Sequence, residues 1–174
     1  MLKRKEETMA NFAKDPAIRK GLIFGVVLGV VHIVFVLINN LMNWQGPPHT
    51  WLNRSFSSSL IVCLTLAGFF TFRAKSGASA GFIAGLVSAV IGIVSLWIVT
   101  FLFMDVIAQN TYMIMDFQKS GSATMNQFII EDALGATGIE FVVSLVLGTA
   151  LGFIGGLLGT LVTIRPTSGH ANAL

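Results

Sequence analysis

The chain is a series of long apolar runs separated by short polar breaks, and the run lengths set the first expectation. An α-helix rises about 1.5 Å per residue, so crossing a hydrocarbon core of about 30 Å takes about 20 apolar residues. Four segments meet that length: 21–41, 52–72, 78–104 and 139–164. The second is the most polar, with its strictly apolar part beginning at Phe56. Each must be helical, because a lone strand would leave its backbone groups unpaired in lipid. The pattern predicts an all-α membrane protein with four transmembrane helices.

Local signals mark the boundaries. Asp15-Pro16 reads as a helix start, since Asp caps and Pro at the first helical position gives up no needed N–H. Gly46-Pro47-Pro48 predicts a non-helical external turn, and Arg165-Pro166 ends the last helix. This divides the chain into a basic N-terminal segment at 1–15, a membrane domain at 16–166 and a tail at 167–174.

The connection at 105–138 is more than a linker. Val106, Asn110, Met113 and Phe117 share a helical face, Lys119 to Ser122 forms a break, and Thr124 to Gln127 has capping-box spacing. Met125, Phe128, Ile129, Ala133 and Leu134 then follow with helical periodicity. Two short amphipathic helices are expected here, capping the bundle or offering a docking surface on the membrane.

Charge fixes the expected orientation. Lys3, Arg4, Lys5, Lys14, Arg19, Lys20, Arg73, Lys75 and Arg165 put nine of the eleven basic residues on one side, leaving Arg54 and Lys119 on the other. The basic side is expected to be cytoplasmic, with both termini there. Trp44 and Trp51 flank the first external loop, as interfacial aromatics do. The formal charge of +3 therefore reads as topology, not as a nucleic-acid surface. The single cysteine, Cys63, can form no internal disulfide.

Small residues recur every fourth position. Gly21, Gly25 and Gly29 stripe the first span; Gly77, Gly81, Gly85 and Ala89 stripe the third; Ser144, Gly148, Gly152 and Gly156 stripe the fourth. In lipid, such stripes let helix backbones approach closely. They are expected to pack the chain's own bundle; the alternative is that at least one stripe faces outward and binds another subunit. Aligning 21–38 with 81–98 gives eight identities, Gly21/Gly81 and Gly25/Gly85 among them, and points to a duplicated helical hairpin with parallel repeats. Such duplication is similar to that of rotary-ATPase proteolipids, which need a mid-helix carboxylate. Spans one to three have none, and Glu140 falls at the mouth of span four, which argues against that reading.

Chemistry inside the membrane rests on His32, near mid-span and on the glycine face. Three roles are open to it. It is a neutral histidine bonded to Thr65, Ser88 or Ser95, an axial ligand to haem or a chlorophyll-type pigment, or a proton-relay or substrate group. Glu131, Asp132 and Glu140 read as a solvated external acidic group, with a divalent cation as the alternative. No catalytic constellation is present, so no enzyme activity, cofactor or metal is expected.

The strings Arg19 to Gly29, Ala80 to Ala89 and Leu151 to Gly159 resemble segments of small bacterial four-helix membrane proteins of unknown function. That resemblance implies a bacterial inner-membrane location and carries over no functional residue. The leading expectation is an accessory subunit of a larger membrane complex, an energy-converting one among the options. A small transporter or channel is the alternative.

Overall fold

A computed structural model describes residues 15–42 and 47–163. The described residues form six helices and no strand: α1 Pro16–Leu41, α2 Pro47–Phe69, α3 Ala74–Leu102, α4 Met104–Ala108, α5 Thr111–Ser120 and α6 Met125–Thr163. Three of them, α1, α3 and α6, are long and apolar enough to cross a membrane. The first half of α2 is more polar than theirs, with Asn53, Arg54, Ser55, Ser57, Ser58 and Ser59 in sequence.

α1 begins where its sequence says it should: the Ala17 N–H donates to Asp15 Oδ1 at 2.8 Å, and Pro16 is the first helical residue. α2 starts earlier than expected. Pro47 and Pro48 open that helix instead of forming a turn, because first-turn positions have no N–H partner to lose. Trp44, Arg165 and Pro166 lie outside the described residues. Trp51 is exposed, with the Arg54 guanidinium 5.9 Å from its ring centre.

The largest departure lies between α3 and α6. The first expected amphipathic helix is two: α4 is a single short turn, and α5 restarts where Asn110 Oδ1 accepts from the Tyr112 N–H at 3.0 Å. The second is not separate at all. Thr124 caps it as expected, with the Gln127 N–H donating to Thr124 Oγ1 at 3.2 Å. The helix then continues through Gly135 and Gly138 into the predicted fourth span. Its 39 residues extend about 58 Å, nearly twice a hydrocarbon core.

α3 is the spine of the bundle, packed along both α1 and α6, and α2 fills the remaining side against α6 and α1. α1 and α3 run parallel, with Gly21 against Ala80 and Ile83, Gly25 against Ala84 and Val87, and Gly29 against Ile91. α3 and α6 run antiparallel, and here backbone meets backbone. A Cβ on Gly81 would strike the Gly148 carbonyl and lie 2.7 Å from Gly152 Cα, while one on Gly156 would lie 2.9 Å from Ala74 Cα. Gly85 meets Ser144, and Gly155 meets Thr65 and Phe69 of α2. The stripes of α1, α3 and α6 thus face other helices of this same chain. The α2–α3 turn places Phe72 at φ 54°, and its carbonyl accepts from Thr160 Oγ1 of α6 at 3.1 Å.

Candidate functional site

α1 and α6 stand at opposite corners, and their backbones do not pack on each other among the described residues. Their side chains meet at one level, across Gly92 of α3. His32 Nδ1 lies 3.2 Å from Glu140 Oε1, with the two side chains only 7% and 18% exposed. Gly92 makes the room: a Cβ there would strike His32 Nδ1 and come within 2.5 Å of Glu140 Oε1. In the alignment of the first and third spans, the position matching His32 is Gly92 itself.

Aromatic rings close the other flanks of the imidazole. Phe56 of α2 lies 4.8 Å away centre to centre, Phe35 lies 6.3 Å away, and the two phenyl rings stack at 4.3 Å. Apolar clusters lie on either side of the pair along the bundle. Leu28, Leu64, Ala67 and Ala84 form one, with Leu147 and Leu151 packed on it. Val36, Val99, Ile107 and Ile129 form the other. Leu28 and Val36 are each one helical turn from His32, so the pair occupies a polar layer about two turns deep at most.

The approach does not have hydrogen-bonding geometry. Glu140 Oε1 is buried with no hydrogen-bond donor among the described residues. A buried polar atom left unsatisfied costs about 1–3 kcal/mol, more when charged. A proton on Glu140 lessens that cost by removing the buried charge. The same proton on Nδ1 gives an imidazolium facing a carboxylate. The site can therefore hold one proton between two acceptors of different chemistry.

None of the expected hydroxyl partners bonds to His32 among the described residues. Ser88 donates to the Gly85 carbonyl at 3.3 Å and Ser95 to the Gly92 carbonyl at 2.7 Å, each within its own helix. Glu140 does not stand at a helix end, because α6 continues 15 residues beyond it to Met125. Nor does it join an external acidic group. Exposed Glu131 accepts instead from Gln127 Nε2 at 2.7 Å and Ser122 Oγ at 2.8 Å. Among the described residues no three His, Cys, Asp or Glu side chains converge as a metal site would need. The signal that could have raised Glu140 is the unbroken stretch from Met125 to Gly138, which contains no Pro and lets one helix carry Glu140 to the depth of His32.

The chain matches no protein-family model, no curated protein and no solved structure.

Proposed function

We propose that this chain is an integral membrane protein with α1, α2, α3 and α6 as its four spans, and that it carries out proton-linked transport through the His32–Glu140 pair. One observation carries the reading: an acid and a base face each other between two apolar clusters, with a buried carboxylate oxygen lacking a donor. Packing alone does not account for it. Two well-fitted apolar side chains would serve stability as well or better than a buried ion pair. Ionisable groups inside membrane helices mark proton and ion pathways. The enclosure of His32 by Glu140, Phe35 and Phe56 favours this role over pigment ligation. The distribution of basic residues supports both termini on the cytoplasmic side, and the resemblance of the glycine-rich strings to small bacterial membrane proteins supports a bacterial inner membrane.

The test is proton flux into proteoliposomes under an imposed pH gradient, followed with an entrapped pH dye. Wild-type protein is expected to carry flux, and Glu140→Gln and His32→Ala to lose it while keeping helix content and elution volume. Glutamine keeps the shape of the side chain but holds no exchangeable acid proton. Flux in Glu140→Gln equal to wild type, or wild-type vesicles indistinguishable from empty ones, sinks the proposal.

An accessory-subunit role is the second reading, favoured by a shallow groove on the outer end of α3. Ile93, Val94, Trp97, Ile98, Phe101 and Leu102 line it, all apolar, and Trp97 and Phe101 stack at 5.4 Å. Such a groove fits the apolar side of a partner helix. Extraction in mild detergent, a native gel and mass spectrometry of the band decide it: named partner subunits support this role, and the chain alone removes it.

A further inference from the structure

The apolar cluster beyond the pair is a layer with one residue from each of four helices. Val36 comes from α1, Val99 from α3, Ile107 from α4 and Ile129 from α6, and each is at most 4% exposed. Immediately past that layer lies a polar pocket of about 220 Å³ lined by Asn40, Leu41, Val106, Gln109 and Asn110. Asn40 is eight residues from His32, so the pocket floor is about 12 Å from the imidazole. Val36 lies midway. The order along the bundle is polar pocket, apolar layer, ionisable pair.

α4 is the unusual member of this layer. Phe103, at φ −125° and ψ 25°, breaks it from α3, and five residues of helix follow before Asn110 begins α5. The Ile107 N–H donates back to the Phe103 carbonyl at 2.9 Å, and the Asn110 N–H to the Ile107 carbonyl at 2.9 Å. A helix this short has almost no stability of its own. Its position is set by Ile107, 1% exposed, seated among Val36, Val99 and Ile129. The same five residues supply a wall of the pocket through Val106.

We infer that α4 is a gate: Ile107 seals the His32–Glu140 pair from the Asn40–Gln109–Asn110 pocket, and its withdrawal admits water and protons to the pair from that side. A thin apolar constriction excludes water when closed and wets when widened. On the opposite side of the pair the described residues pack differently. Leu28, Leu64, Ala67 and Ala84 continue there into the close-packed glycine contacts of α3 and α6. The groups facing His32 are Glu140 from α6, Gly92 from α3, Phe56 from α2 and Phe35 from α1, so among the described residues no second acid faces the imidazole.

This inference rests on the proton-exchange reading for its purpose, but its test does not use flux. The full chain is labelled with ¹⁵N-histidine in micelles, and exchange of the His32 ring proton with water is measured by NMR, assigned by its loss in His32→Ala. Ile107→Ala removes the apolar seal and is expected to speed exchange by about tenfold or more. Ile107→Val, which keeps the packing closer to native, should speed it less but in the same direction. Leu64→Ala is the matched truncation on the other side and should leave the rate within about twofold. Equal acceleration by Ile107→Ala and Leu64→Ala would mean general loosening and would overturn the gate. So would an unchanged rate in both Ile107 variants, or acceleration by Leu64→Ala alone. A chain with the expected exchange and no flux would keep the gate and lose the transport reading.

Discussion

Replacing Gly92 by alanine adds one methyl group at the point where three helices share a layer. That methyl would sit 2.5 Å from Glu140 Oε1 and from His32 Cε1. Ordinary contact needs about 3.5 Å, so each group must retreat by about 1 Å. The retreat opens the pair beyond its 3.2 Å approach. Phe35 and Phe56 stand behind the imidazole, so the retreat also overpacks that side, at about 1–3 kcal/mol. Alanine's better helix propensity returns up to about 1 kcal/mol. The expectation is therefore a loss of about 1–3 kcal/mol relative to a glycine with open space around it. Gly135→Ala and Gly138→Ala supply the baseline. A Cβ at either meets nothing within 4 Å, so each should be neutral or gain up to about 1 kcal/mol. Unfolding in mixed micelles with rising dodecyl sulfate, followed by circular dichroism, reads the difference. A Gly92→Ala protein as stable as Gly138→Ala would refute the claim that this glycine makes room for the pair.

The flux and ring-proton exchange experiments above test the pair and its gate. Gly81→Leu should be far worse than Gly92→Ala, because its side chain meets the Gly148 carbonyl and Gly152 Cα, backbone that cannot step aside. Failure to recover folded monomer by size exclusion is the expected result, and normal recovery would count against the α3–α6 contact. Asn110→Ala removes the side-chain acceptor for the Tyr112 N–H and should cost about 1 kcal/mol in the same unfolding assay. Asn110→Asp keeps an acceptor at that position and should lose less.

The sequence made the long helices and their ends readable where the signal is local. Asp15 and Thr124 cap as their spacing predicts, and the glycine periodicity points to the helix faces that meet. Non-local features were not readable. The hydropathy boundary at 139 made Glu140 look like a mouth residue, yet an unbroken helix carries it to the level of His32. Gly135 and Gly138, expected near a boundary, are tolerated because one residue of weaker propensity does not end a helix that its neighbours support. The turn at Asn110 was missed for the opposite reason. Val106, Met113 and Phe117 keep helical spacing across it, and periodicity cannot see a change of axis. That Gly92 seats the pair could be seen only once α1 and α3 were placed side by side.

The length of α6 has a mechanical consequence. A continuous helix that outruns the bilayer acts as a stiff rod, so what happens at one end is felt along it. Pivoted at Gly148, where α6 is pinned backbone to backbone on α3, a tilt of about 5° swings Met125, about 35 Å away, by about 3 Å. The same tilt moves Glu140, about 12 Å from the pivot, by about 1 Å, comparable with the displacement that Gly92→Ala would impose. Anything that pushes on the Met125 end of α6 therefore moves the carboxylate in the bundle, geared down about threefold.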